Sequence, residues 1–231
     1  MTITFITGAN KGLGRETARR LVELGHTVIV GARDPEQGAA AADALGARFV
    51  RIDVTDDASV TAAAADVAAH EGRIDVLINN AGVSGPHDDP AGLTAAGARA
   101  VFDVNLFGVI RATTAFLPLL RRSAEPVIVN VSSGMGSFAL THDPARVESS
   151  VVSPLYTASK SALTMLTTQY AKALKDIRVN AADPGYTATD LNAHSGPQTV
   201  TEGTDAIVRL ATEPSDAGTG RFIDRHGPVD W

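Results

Sequence analysis

Three observations predict an α/β fold: a Rossmann-type, doubly wound parallel sheet of about seven strands with helices on both faces. Short β-branched runs alternate with Ala- and Leu-rich stretches of helical length from one end of the chain to the other. Several runs, such as Val28-Ile29-Val30 and Val127-Ile128-Val129, are apolar throughout, as strands covered on both faces by helices must be. The first run passes directly into a glycine-rich turn, Thr7-Gly8-Ala9-Asn10-Lys11-Gly12-Leu13-Gly14, and then into an apolar-periodic segment through Ala18, Leu21 and Val22.

Strands are expected near residues 2–6, 27–32, 48–52, 76–79, 126–131, 178–182 and 221–223, with helices filling the gaps. A helix over 97–120 places Val101, Val104, Phe107 and Ile110 on a helical repeat, and Pro118 should kink or end it. The least regular stretches are 134–153, with Asp143-Pro144 and Ser149-Ser150, and 192–201, with Gly196-Pro197. Both are expected as surface loops or short helices that wall a site. A chain of 231 residues that is 44% hydrophobic suffices for one core, so residues 1–231 are expected to form a single domain.

Composition removes several function classes. The formal net charge is -6 and the Lys and Arg residues are scattered, so no nucleic-acid partner is expected. The longest apolar runs are strand-sized, which argues against a membrane span. The N-terminal residues enter the glycine turn without room for a signal peptide, giving a cytoplasmic expectation. The absence of cysteine removes disulfides, thiolate ligands and a catalytic thiol. The six histidines are widely separated and form no i, i+4 pair. His87-Asp88-Asp89 comes nearest to a metal-binding group, but it sits among Gly85, Pro86 and Pro90 and reads as a solvated loop, so no metal site is expected.

Glycines at the end of a strand let the backbone approach a pyrophosphate, and the helix that follows presents free N–H groups and a positive dipole end. Packing at a tight strand-to-helix turn is the competing explanation. The spacing Gly-x-x-x-Gly-x-Gly differs from the common dinucleotide fingerprint and resembles the short-chain dehydrogenase/reductase family. The resemblance continues in order through Asn79-Asn80-Ala81-Gly82, Asn105, Ser132-Ser133, Tyr156-Thr157-Ala158-Ser159-Lys160 and Pro184-Gly185, and so covers essentially the whole chain. It is closest to the NADPH-dependent carbonyl reductase branch, through Asn10-Lys11-Gly12, Ala32-Arg33-Asp34, a long separation between Ser133 and Tyr156, and the run from Gly220-Arg221-Phe222 to Trp231.

At the end of the second strand, NAD-binding relatives place an acidic residue that bonds the ribose 2′-hydroxyl. Here Ala32 takes that position and Arg33 follows, which suits a 2′-phosphate, with Lys11 as a second cation. NADP(H) is therefore the expected cofactor, and the competing assignment makes Asp34 the acidic contact. The resemblance implies further cofactor contacts at Gly8, Asn10, Gly12, Leu13, Gly14, Asp53, Val54, Asn79, Ala81, Gly82, Pro184, Gly185, Thr187 and Thr189. Asp53 also reads as an N-terminal cap for the helix starting near Asp56. Thr187 stands where an apolar residue is common, which leaves a backbone contact there and puts a side-chain role in doubt.

Tyr156 and Lys160 are four apart at the start of a helix through Leu163, Leu166 and Tyr170, so they share a face. An unperturbed phenol titrates at about 10, and a neighbouring ammonium favours its phenolate. The resemblance implies a catalytic set of Asn105, Ser133, Tyr156 and Lys160: Tyr156 as general acid and base, Ser133 as donor to the substrate oxygen with Ser132 as its alternative, Lys160 on the nicotinamide ribose, and Asn105 holding a water. Ser133 lacks the Gly-x-Ser-x-Gly elbow and the His–Asp relay of a serine hydrolase. The expected substrate is a small ketone, aldehyde or secondary alcohol. Phe138, Leu140, Tyr186, Leu191 and Trp231 are candidates for an apolar pocket. The resemblance leaves a monomer and a homo-oligomer both open, and a catalytically idle NADP(H)-binding sensor is the competing function.

Overall fold

The structure is a computed structural model that describes residues 1–85 and 90–231, so His87-Asp88-Asp89 lies outside the described residues. Seven strands form one all-parallel sheet in the order β3-β2-β1-β4-β5-β6-β7. They are β1 (Ile3–Thr7), β2 (Thr27–Ala32), β3 (Arg48–Arg51), β4 (Val76–Asn79), β5 (Val127–Val131), β6 (Arg178–Ala182) and β7 (Phe222–Ile223), each within one residue of its expected bounds. Successive residues serve opposite faces. Ile6, Val30, Ile78 and Val129 pack with Leu21 of α1 (Gly12–Glu23) and Ile207 and Leu210 of α9 (Asp205–Thr212). Phe5, Ile29, Leu77 and Ile128 pack on the other side with Val67 of α3 (Asp57–His70) and Phe116 of α5 (Gly108–Leu120). Two full layers explain why these strands lack polar alternation.

The expected long helix is continuous over Ala95–Leu120. It comprises α4 (Ala95–Phe102), a π-turn at Asp103–Phe107, and α5. The π-turn inserts a residue and rotates the apolar stripe. Val101 is buried, whereas Phe107 and Ile110 of the expected repeat turn outward and Val109, Ala112, Phe116 and Leu119 take over. Pro118 lies inside the last turn, and the helix ends two residues later at Leu120. Its length and mean hydropathy, 1.4, are those that a membrane-spanning helix shares with a core helix. Its packing against the sheet accounts for its apolarity: Phe116 meets Phe5 at a ring-centroid distance of 4.4 Å.

Of the two irregular stretches, expected as loops or short helices, the first holds short helices and the second is mostly turn. Residues 134–153 hold a 3-10 turn (Gly134–Gly136), α6 (Phe138–His142) and a second 3-10 turn (Val147–Ser150). The other stretch follows a 3-10 turn (Asp190–Asn192) and leads into α8 (Val200–Gly203).

Candidate active site

The C-terminal ends of β1, β4, β5 and β6 bring the candidate residues to one edge of the sheet, where strand order reverses between β1 and β4. At the glycine turn, Gly8 adopts φ +65°, and a Cβ on Gly14 would lie 2.5 Å from the Gly8 carbonyl oxygen. The turn therefore closes only with glycine at both positions. Asn80 holds it from behind, its Nδ2 donating to the carbonyls of Thr7 and Gly8 at 2.9 and 3.0 Å. Helix α1 starts without a side-chain cap and without an acidic residue in its first turn. By contrast α2 (Pro35–Leu45), α3 and α4 carry side-chain caps from Asp34, Asp56 and Thr94. The first amides of α1 are thus available to an anion, and the cradle fits a pyrophosphate.

The charges around the turn are arranged differently from expectation. Lys11 Nζ is paired with Asp190 at 2.8 Å, so this cation is already neutralised. Arg33 is exposed at the end of β2. Asp34 is occupied as the α2 cap, accepting from the amides of Glu36 and Gln37 at 3.0 Å each and from Gln37 Nε2. These bonds hold Asp34 below the usual carboxylate range and leave Arg33 as the polar group at the strand end with no capping task. Asn10 donates to Gln37 Oε1.

Several of the expected cofactor contacts have side chains engaged within the chain. Asp56, not Asp53, caps α3. Asp53 Oδ1 instead accepts from the Thr55 amide and hydroxyl at 3.0 and 2.7 Å. Val54 packs against Gly108 and gives its carbonyl to Arg111. The Asn79 side chain is buried between the sheet and α5, donating to Asn130 Oδ1 at 2.9 Å and Thr113 Oγ1 at 3.3 Å. The Thr187 hydroxyl donates to the Pro184 carbonyl, so a side-chain role there is spent on the turn. Thr189 starts the 3-10 turn, its amide donating to Asn192 Oδ1. Ala81 rests against Gly8, and the Cβ position of Gly82 lies 3.5 Å from Asn105 Oδ1 and 3.7 Å from Lys160 Nζ.

The four candidate catalytic side chains converge. Helix α7 (Pro154–Ala173) carries Tyr156 and Lys160 in its first two turns, and Lys160 Nζ lies 5.6 Å from the Tyr156 ring centroid. Burial pushes the Tyr156 phenol up to about 12, while a side-chain hydrogen bond with Ser133 pulls the other way. Burial also draws the Lys160 ammonium down to about 8, against the nearby Asp183 carboxyl. Lys160 Nζ donates to the Val131 carbonyl at 2.8 Å. In the cofactor-free protein desolvation is therefore the larger influence on the phenol.

The two serines point in different directions. Ser132 is buried with its hydroxyl on Thr164 Oγ1 at 3.0 Å, under α7. Ser133 faces Tyr156 and accepts from the Met135 amide. Asn105, at the centre of the π-turn, uses its whole amide: Oδ1 accepts from the Val83 amide, and Nδ2 donates to the Val83 carbonyl and to Ser159 Oγ, each at 2.9 Å. Ser159 Oγ in turn donates to the Tyr156 carbonyl at 2.7 Å. Sequence reasoning missed this link between the π-turn and the first turn of α7, although Ser159 was visible within the Tyr156–Lys160 motif.

Of the residues expected to line an apolar pocket, Phe138, Tyr186, Leu191 and Trp231 are exposed. Phe138 is 70% exposed, and the Trp231 ring packs 5.5 Å from that of Phe222. The space beside Pro184-Gly185 and Tyr186 is instead a cavity of about 370 Å³ walled by charged groups, among them Arg146, Glu148, Asp183 and Asp224. Among the described residues, no group of three His, Cys, Asp or Glu side chains is arranged to hold a metal.

The family model for short chain dehydrogenases matches residues 2–199, and the chain belongs to this oxidoreductase family. It is 39% identical to a short-chain dehydrogenase of Penicillium roqueforti, over 96% of this chain and 93% of that protein. It is 31% identical to the (-)-isopiperitenone reductase of Mentha piperita, over 96% of this chain and 95% of that one. The NADPH-bound carbonyl reductase from chicken fatty liver superposes with a TM-score of 0.87 at 26% identity, with 100% of both chains covered.

Proposed function

We propose that residues 1–231 form one NADP(H)-binding and catalytic domain that interconverts a small ketone or aldehyde with its alcohol. The observation that carries this reading is the convergence of Ser133 and Lys160 on Tyr156 at the end of the crevice that begins at the glycine turn. The nicotinamide supplies or takes the hydride when bound. Every other task falls to the chain. The uncapped start of α1 would hold the pyrophosphate, and Arg33 would hold the 2′-phosphate.

In the reductive direction the Tyr156 hydroxyl delivers its proton to the substrate oxygen as negative charge develops there. Ser133 donates a hydrogen bond to the same oxygen, a stabilisation set in place before the reaction. With its phenol pushed to about 12, Tyr156 carries its proton throughout the neutral range, which suits reduction. Lys160 keeps a positive charge below about pH 8 and so stabilises the phenolate left behind. Asn105 ties Val83 and Ser159 together and thereby steadies the turn of α7 that carries Tyr156. The printed activity of the structural relative with NADPH bound, a carbonyl reductase, supports a carbonyl substrate. The charged wall beside Tyr186 favours one with a polar group away from the reacting carbon.

The test is a panel of ketones, aldehydes and secondary alcohols with NADPH or NADP⁺, read by nicotinamide absorbance alongside Tyr156→Phe. Turnover by the protein that the variant loses supports the reading. Tight NADPH binding without turnover on any compound would make the chain a sensor instead.

A further inference from the structure

Asp183 follows β6 and precedes Pro184-Gly185, and it is 3% exposed. Its amide donates to the Ile223 carbonyl at 2.8 Å, which fixes its backbone to β7. Its carboxyl reaches two different turns. Oδ1 accepts from the Gly185 amide at 2.9 Å, and Oδ2 lies against Gly134, next in sequence to Ser133; the Gly134 amide favours the charged carboxyl. A Cβ placed on Gly134 would lie 2.9 Å from Asp183 Oδ2 and 2.6 Å from Glu148 Oε1. The glycine is therefore required by the close approach of two carboxyl groups to its Cα. Glu148 arrives from the 3-10 turn Val147–Ser150 with its charge paired to Arg146 at 3.1 Å.

Burying a second acidic group beside Glu148 carries a desolvation cost that a small apolar residue would avoid. That cost is visible as an upward displacement of the Asp183 titration, caused first by burial and further by Glu148 and Asp224. An unfavourable group in such a place is matched by its bond to the Gly185 amide and its close approach to Gly134, one on each wall of the candidate active site.

We propose that Asp183 is a positioning residue that clamps the Ser133-Gly134 turn onto the Pro184-Gly185 turn. This rests on the oxidoreductase reading above, because it fixes the donor to the substrate oxygen relative to the turn implied to carry the nicotinamide. Asp183 acts through Ser133 and Gly185, and a displacement of about 1 Å between such groups lowers turnover on the order of a hundredfold.

The test uses the full chain with Asp183→Ala and Asp183→Asn, after thermal melting has established that each folds. Amide exchange is followed by mass spectrometry over residues 132–137 and 183–187 in the cofactor-free protein. Asp183→Ala is expected to accelerate exchange in both segments by about tenfold or more. Asp183→Asn keeps one acceptor oxygen and should protect one segment while releasing the other. If Asp183→Ala does not fold, this split in Asp183→Asn decides the matter alone. In turnover, Asp183→Ala should cost far less in a Ser133→Ala background than in the wild type, since the effect passes through Ser133. Exchange faster in neither segment, or in only one for Asp183→Ala, would overturn the clamp, as would full additivity with Ser133→Ala. Absence of wild-type turnover on every compound would defeat the enzymatic reading, and the exchange measurement would still decide whether the two turns are joined.

Discussion

Lys11 of the glycine turn and Asp190 of the segment beyond Gly185 form a 2.8 Å ion pair across the mouth of the crevice. Asp190 also meets His194 Nε2 at 2.9 Å, and hydrogen bonding from Lys11 holds its carboxyl below the usual range. The pair therefore persists at neutral pH and weakens only as acid protonates Asp190. Both partners are exposed, so the contact is worth little to stability, but it places a negative charge beside the pyrophosphate cradle. Asp190→Asn is expected to tighten NADPH binding by about two- to fivefold at low salt, with the gain fading as salt is added. Fluorescence titration at two ionic strengths measures it, and a weaker complex would contradict the assignment.

Arg33 and Asp34 are adjacent at the end of β2, yet the structure gives them different tasks. Asp34 caps α2 through two amides, whereas Arg33 projects into solvent. Arg33→Ala should therefore reduce the preference for NADPH over NADH on the order of ten- to a hundredfold. Asp34→Ala should lower the melting temperature and leave that preference intact. Steady-state kinetics with both cofactors would expose an exchange of these roles.

The same contrast shows what was legible in the sequence. The strands were readable because Val28-Ile29-Val30 and Val127-Ile128-Val129 are buried on both faces, and the glycine turn because Gly8 and Gly14 answer to local geometry. Tyr156 and Lys160 were readable because a helix fixes residues four apart on one face. Phe107 and Ile110 were misplaced because a π-turn shifts register without a distinctive residue. Asn79 and Asn80 could not be ranked by composition, since only strand pleat decides that Asn79 enters the core and Asn80 the glycine turn. Glu148 and Asp183 meet at Gly134 from segments distant in sequence, a relation that no local pattern carries.

The displaced titration of Tyr156 predicts opposite pH behaviour in the two reaction directions. Reduction needs the phenol protonated, and with the group pushed up to about 12 it remains so across neutral pH. Oxidation needs the phenolate, so its rate should rise as pH increases from 7 to 9 while the reductive rate changes little. Tyr156→Phe should remove about 10²- to 10⁴-fold of turnover in both directions with NADPH affinity retained. A rate profile for oxidation that is flat in pH would place the proton transfer elsewhere.

Lys160 makes the clearest claim on stability. Burial lowers its ammonium from 10.5 to about 8, so between those values the unfolded chain holds a proton that the folded protein has released. Stability must then rise with pH across that interval, because the penalty for burying the charge is relieved as the proton leaves. Tyr156 acts in the reverse sense, but only above pH 10, where the unfolded phenol ionises before the folded one. Below pH 10 the lysine effect stands clear of it. The melting temperature of the cofactor-free protein should accordingly climb between pH 7.5 and about 9.5, and the climb should vanish in Lys160→Met. The slope is the better readout than the absolute value, since Lys160→Met also deprives the Val131 carbonyl of its donor at 2.8 Å. An equal climb in both proteins would mean that the ammonium is solvated in the free protein, and the crevice beneath Tyr156 would have to be wetter than its burial implies.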